Sequence, residues 1–234
     1  MARNNFGNWR IGNRDEIYSS SINAKGYLDD KFGLNSLEDK PTKFPSCSFP
    51  LWWKKMNGAK SYAIVMESYD THKSCGLPYI NWIALNIKEN ELFEDQSLID
   101  WVKWKSSDEK EFFDDILWQG CNSSCGELYS ENSLKQKFKN NLTKKDKSDS
   151  IADSCIYKGP NPLVEDGISV VWIYGLDVEA KELFFIDDFK TNKKMMFNRP
   201  YYIGDLYQGI TQHIVGTWTL CFKYKKISTK KIKK

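Results

Sequence analysis

The sequence has little histidine and little arginine. Among its 234 residues only His72 and His213 are histidine, which leaves few imidazole ligands for zinc. Lysine far outnumbers arginine, so bidentate recognition of phosphates or bases by guanidinium groups is poorly supplied. The formal net charge of +3 comes from 34 basic and 31 acidic residues, a balance that gives no overall field for nucleic acid. We therefore expect no specific nucleic acid partner.

Long apolar runs are also absent. No stretch approaches the roughly 20 apolar residues that a membrane-spanning helix needs, and the first residues, MARNNFGNWRIG, are charged without the apolar region of a secretion signal. These two absences predict a protein without a membrane span that stays in the cytoplasm.

The cysteines show no regular spacing. Without a secretion signal, we interpret them as reduced thiols. Cys121 and Cys125 have a C-x3-C spacing that could ligate zinc, but no second pair matches it. The sequence therefore predicts no metal site and no cofactor. The six cysteines are Cys47, Cys75, Cys121, Cys125, Cys155 and Cys221.

What the sequence does have is aromatic and apolar content. Hydrophobic residues make up 41% of the chain and aromatic residues 15%, with nine Trp and twelve Tyr, which favours sheets over helical bundles. The length suits one domain. We predict a single domain over residues 1–226, with an exposed insertion at about 122–153 that is rich in Asn, Lys and Ser. Residues 227–234 form a lysine-rich tail, most simply a solvated terminus.

Strand and helix patterns alternate along this domain. Four runs rich in β-branched and aromatic residues, 61–67, 79–87, 167–178 and 216–226, predict strands. In the second, one face should carry Ile80, Trp82, Ala84 and Asn86, and the other Asn81, Ile83 and Leu85. Helical spacing of apolar residues predicts one short helix around 98–102 and another across 203–214.

Several short motifs occur in a definite order. Ser48–Trp53 precedes the turn Gly58–Ser61, Glu67–His72 precedes Asn81–Ile87, and Gln119–Ser123 precedes Tyr157–Pro162. Over about residues 20–224 this order resembles the phosphatidylethanolamine-binding protein family, in particular its bacterial Raf-kinase-inhibitor-like branch. The resemblance implies a mainly β fold, a β-sandwich of antiparallel sheets with a few peripheral helices, including one near the C-terminus.

The resemblance also implies a small pocket for an anionic or phosphorylated head group. Its members are binding proteins, so the implied function is non-catalytic binding, with a regulatory role through a protein partner. Matched motif by motif, the ligand-binding residues are Asp70, Asn81, Trp82, Gly120, Tyr157, Lys158, Gly159 and Pro160. At the glycines a backbone N–H could approach a ligand without a Cβ in the way.

The chain departs from the family pattern at two histidines. Asn81 and Gly167 stand where the family has pocket imidazoles. Asp70 would then repel phosphate unless it is protonated or joined by a cation, and Lys158 could be that cation. A ligand with an ammonium group or sugar-like hydroxyls is a competing expectation.

Two other interpretations remain open. Asp70, His72 and Cys75 could form the cluster of a hydrolase, although their spacing does not by itself bring a base to a nucleophile. Alternatively, Asp70 is only a hydrogen-bonded turn residue and the protein is a scaffold with a degenerate pocket. The sequence does not determine the oligomeric state.

Overall fold

The computed structural model describes residues 16–36, 47–70, 76–106, 115–125, 153–162, 164–183 and 201–226. Their regular secondary structure is mainly β-strand, and two α-helices accompany the strands. The strands are β1 (Ile17–Tyr18), β2 (Leu51–Trp53), β3 (Ser61–Ser68), β4 (Tyr79–Ile87), β5 (Glu91–Leu92), β6 (Trp118–Gln119), β7 (Gly167–Leu176) and β8 (Ile214–Tyr224). The helices are α1 (Gln96–Ser106) and α2 (Ile203–Ile210).

The strands form two antiparallel sheets. The larger has the order β6-β4-β3-β7-β8, and the smaller has the order β1-β2-β5. The turn at Gly58, with a φ of +84°, separates β2 from β3 and so carries the chain from the small sheet to the large one. This is the mainly β, antiparallel sandwich that the sequence predicts, with a helix near the C-terminus.

Apolar side chains cover both faces of the large sheet. One face packs against the small sheet, where Trp53 meets Tyr62 edge to face with ring centroids 5.3 Å apart. The other face, with Val65 and Leu85, packs against Leu206 and Ile210 of α2. Because both faces are buried, the central strands are apolar almost throughout, as in other sheets covered on two sides.

A β-bulge interrupts the pairing of β3 with β4. Met66 lies opposite Trp82 and Glu67 opposite Ile80, so Asn81 is an extra residue on β4. The bulge overturns one expectation: Ile80 packs with the α2 side of the sheet, whereas Trp82 and Ala84 face the small sheet. Strict alternation fails here because the inserted residue reverses the direction of the side chains beyond it.

The first residues of the predicted insertion lie in the interior of the protein. Asn122, Ser124 and Cys125 are buried, which differs from the exposed start expected at about residue 122. Residues 126–152 and the tail 227–234 lie outside the described residues. Within the described ranges no helix is long and apolar enough to cross a membrane.

Candidate ligand-binding site

Most of the predicted site residues lie near one end of the large sheet. There β3 ends at Ser68, which is opposite both Tyr79 at the start of β4 and Ser169 near the start of β7. The buried hydroxyls of Ser68 and Ser169 are 2.8 Å apart and hydrogen-bonded. Antiparallel pairing thus places the end of one strand between the beginnings of two others, which brings distant segments together.

Asp70 lies two residues beyond this end of β3. A Cβ built on Gly167 would lie 3.5 Å from Asp70 Cγ and 3.0 Å from Pro162 Cβ. Asp70, Pro162 and Gly167 are therefore neighbours. A Cβ at Gly167 would therefore be in tight contact with the Pro162 ring, which would have to move by a few tenths of an ångström. This packing favours a small residue at position 167, where the resemblance expects a histidine.

Asn81 holds the loop 157–162 against β4. Its Nδ2 donates to Lys158 O at 2.8 Å, and Lys158 N donates to Asn81 O at 2.9 Å. Asn81 is only 2% exposed, and its Oδ1 is buried without a hydrogen-bond donor among the described residues. Buried carbonyl oxygens usually have a donor, so this atom is an acceptor that a bound group could satisfy.

Lys158 lies at the same place. The residue is 6% exposed, and its Nζ donates to Tyr79 Oη at 2.5 Å. The Nζ atom is also 4.9 Å from the centroid of the Tyr79 ring, within the range of a cation–π contact. A buried ammonium group is costly unless polar partners surround it. Among the described residues, Lys158 and Asp100 are the buried charged residues, and Lys158 lies next to Asn81.

Trp82 and Tyr157 do not reach the surface. Both are 0% exposed, and their rings meet edge to face with centroids 5.6 Å apart. Tyr157 Oη donates to Phe32 O at 2.8 Å, and burial raises its pKa well above the ordinary value of 10. These two side chains pack in the core behind the loop, so they position Lys158 rather than offer a surface to a ligand.

Gly120 and Gly159 allow other parts of the chain to pack closely against them. A Cβ on Gly120 would come within 2.5 Å of Cε2 of Tyr201, and a Cβ on Gly159 within 2.8 Å of Gly33 Cα. Pro160 O accepts a hydrogen bond from Leu34 N at 3.1 Å. The absent side chains make room for other parts of this chain, which differs from the expected approach of a ligand to a bare backbone.

The structure adds two residues that sequence reasoning did not place at the site. Tyr79 supplies the hydroxyl for Lys158, and Asn161 has a buried Oδ1 without a hydrogen-bond donor among the described residues. Tyr79 could have been found, because it lies two positions before Asn81 on one strand. Nothing in the sequence marked Asn161 as a site residue except its position between Pro160 and Pro162.

The structure describes the residues of the hydrolase interpretation only in part. Asp70 is described, whereas His72 and Cys75 fall outside the described residues, so the cluster of these three residues stays a prediction. His213 Nδ1 is 2.9 Å from Asp177 Oδ1, beyond the far end of β7 and about 30 Å along that strand from Gly167. Among the described residues, no group of three or more His, Cys, Asp or Glu is arranged to hold a metal ion.

The fold of this chain is similar to that of proteins with solved structures. One is CT736 from Chlamydia trachomatis, described as a phosphatidylethanolamine-binding protein homolog, with a TM-score of 0.55, 16% identity, and coverage of 90% of this chain and 97% of that one. Another is YbcL from E. coli, described as a new member of the mammalian phosphatidylethanolamine-binding protein family. Its TM-score is 0.56 and its identity 13%, with coverage of 91% of this chain and 98% of that one. At these identities the likeness concerns the fold.

Family membership rests on the sequence. The family model described as phosphatidylethanolamine-binding protein matches residues 18–225, which is most of the chain. No curated protein matches. The chain belongs to the phosphatidylethanolamine-binding protein family.

Proposed function

We propose that this protein is a non-catalytic binding protein whose site, formed around Asp70, Asn81 and Lys158, takes a small ligand with an anionic or phosphorylated head group. The observation that supports it best is the buried Oδ1 of Asn81, which accepts no hydrogen bond from the described residues, next to the buried Lys158. Family membership supports a binding role in general terms.

The expected ligand chemistry follows from the charges and the hydrogen-bonding roles of the side chains at the site. The Lys158 ammonium attracts an anion, and charge-assisted hydrogen bonds of this kind are about twice as strong as neutral ones. The oxygens of Asn81 and Asn161 accept hydrogen bonds, and the Asp70 carboxylate attracts a cation. A ligand that combines a phosphate with an ammonium or hydroxyl group therefore complements the site better than inorganic phosphate does.

Titration of the full chain, followed by NMR or calorimetry, tests this. Phosphoethanolamine should bind more tightly than inorganic phosphate or ethanolamine alone. Lys158→Met should weaken the binding of phosphoethanolamine by about 10- to 100-fold, and Asp70→Asn should strengthen the binding of inorganic phosphate, because a repulsive charge is removed.

Two matched substitutions control for general charge effects. Lys55→Met removes an exposed lysine after β2, and Asp177→Asn removes a carboxylate beyond the far end of β7; both should bind as the unchanged protein does. If phosphate, phosphoethanolamine and nucleotides all fail to bind the folded protein at millimolar concentration, the protein is a scaffold with a degenerate pocket. The protein partner, the Raf-kinase-inhibitor-like branch and the cytoplasmic location remain predictions from sequence.

A further inference from the structure

Three buried cysteines form a thiol cluster that plays no part in the proposed site. Cys121 follows β6, Cys125 lies four residues later, and Cys155 precedes the loop 157–162; they are 3%, 0% and 6% exposed. The Sγ atoms of Cys121 and Cys155 are 3.4 Å apart. These two residues are 34 positions apart in the chain, so their meeting is a product of the fold.

Hydrogen bonds already hold together the chain segments that flank Cys121 and Cys155. Asn122 N donates to Ser154 O at 2.9 Å, and Asn122 Nδ2 donates to Ile156 O at 2.9 Å. Cys121 N donates to Tyr201 O at 3.0 Å. A disulfide needs an S–S distance of about 2.05 Å. Because hydrogen bonds hold the flanking segments side by side, closing the remaining distance requires small side-chain movements.

We propose that Cys121 and Cys155 are a disulfide site that ties the two ends of the segment 122–154 together. All described cysteines are thiols in this structure, so the site is in its reduced form here. The sequence alone predicts only reduced thiols, since the spacing of Cys121 and Cys155 shows no pattern. This inference does not depend on the proposed ligand.

Cys125 is the neighbouring third thiol, and it contacts the Cys121 thiol and Tyr202 Oη, the latter at 3.7 Å. Oxidation can consume only two of the three thiols. The bridge to Cys155 closes a loop of 34 positions, whereas a bridge to Cys125 would close one of four. The longer loop removes more entropy from the unfolded chain, so it stabilises the fold more.

The oxidant we name is a small disulfide such as oxidised glutathione. One cysteine thiolate attacks it, which forms a mixed disulfide and releases one reduced glutathione; the second thiolate then displaces the other. Two S–H bonds are lost, one protein S–S bond forms, and the two electrons reduce the glutathione disulfide to two thiols. Cys121 and Cys155 are both buried, so exchange in the folded protein should be slow and should proceed when the chain opens.

Refolding the full chain from urea in a glutathione redox buffer tests the proposal. Oxidation should lower the intact mass by about 2 Da and raise Tm by roughly 5 to 15 °C, and dithiothreitol should reverse both changes. Trypsin leaves Cys121 and Cys125 in one peptide, 111–135. The linkage is therefore mapped in Cys125→Ala, where peptide 111–135 should be joined to peptide 148–158.

Cys125→Ala is also the matched control, because it should keep the oxidation-dependent rise in Tm, whereas Cys155→Ala should lose it. The proposal is overturned by an unchanged mass and Tm after oxidation, by a Cys121–Cys125 linkage in the unchanged protein, or by added mass from a bound metal instead of a loss of 2 Da. If Cys155→Ala does not fold, the linkage in Cys125→Ala and the mass of the unchanged protein still decide the outcome.

Discussion

Asn81 and Lys158 are joined by two hydrogen bonds, one from the Asn81 side chain to Lys158 O at 2.8 Å and one from Lys158 N to Asn81 O at 2.9 Å. The first residue is the extra residue of a bulge on β4, and the second lies 77 positions later in a loop. The bulge turns the Asn81 side chain toward this loop. Through this pair the sheet fixes the position of the buried ammonium group.

Replacing Asn81 with alanine should therefore destabilise the protein. The change leaves Lys158 O without its side-chain donor in a buried place, and we expect the free energy of unfolding to fall by about 1–3 kcal/mol. Asn90→Ala is the control, since Asn90 Nδ2 donates to Trp53 O in a partly buried position; its loss should be about 0.5–1.5 kcal/mol. Urea unfolding measures both, and an Asn81→Ala protein as stable as the unchanged one would contradict the assigned role of this pair.

A methyl group on Gly120 should be costly. It would come within 2.5 Å of the Tyr201 ring, and Tyr201 is held in place by a hydrogen bond from its Oη to Trp118 O. Overpacking of this kind costs about 1–3 kcal/mol. Gly204→Ala is the opposite case, because Gly204 lies in α2 with no atom within 4 Å of the new methyl group, and alanine there should stabilise the helix by about 0.5–1 kcal/mol.

Thermal unfolding of the two alanine variants measures this contrast. The predicted changes in Tm have opposite signs, so a general effect of mutation cannot produce both. Equal stability of Gly120→Ala and the unchanged protein would show that Tyr201 can move aside.

The thiol of Cys47 should be slow to react. Burial, followed by the neighbouring Asp95 carboxylate, raises its pKa from 9.0 to about 12. At a pH below both 9.0 and 12, the thiolate fraction falls about tenfold for each unit by which the pKa is raised. Alkylation of Cys47 at pH 8 should therefore be about 1000-fold slower than alkylation of an unperturbed cysteine. The rate should keep rising with pH beyond 9, because the thiol is still mostly protonated there.

Asp95→Asn is the informative variant for this prediction. Asp95 has a φ of +65°, which asparagine also tolerates, so the backbone can keep its conformation while the charge is lost. Removing the carboxylate should lower the pKa of Cys47 and speed its alkylation, as followed by mass spectrometry of the peptide. A rate that reaches its plateau near pH 9 in the unchanged protein would contradict the raised pKa.

Local patterns in the sequence determined the longer strands and the two helices of this protein. Runs of β-branched and aromatic residues predicted β3, β4, β7 and β8, and helical spacing predicted α1 and α2. These predictions succeed because backbone conformation and the periodicity of apolar residues are properties of neighbouring residues. The order of several motifs indicated the sandwich and the family, which the family match then confirmed.

Only the tertiary structure decided what surrounds each residue. The motifs could name Tyr157 and Gly120, but not that the first would be sealed in the core or that the second would leave room for Tyr201. The bulge at Asn81 and the meeting of Cys121 with Cys155 likewise have no local signal. Such contacts depend on segments far apart in sequence, and they form only when the packing of both sheet faces brings those segments together.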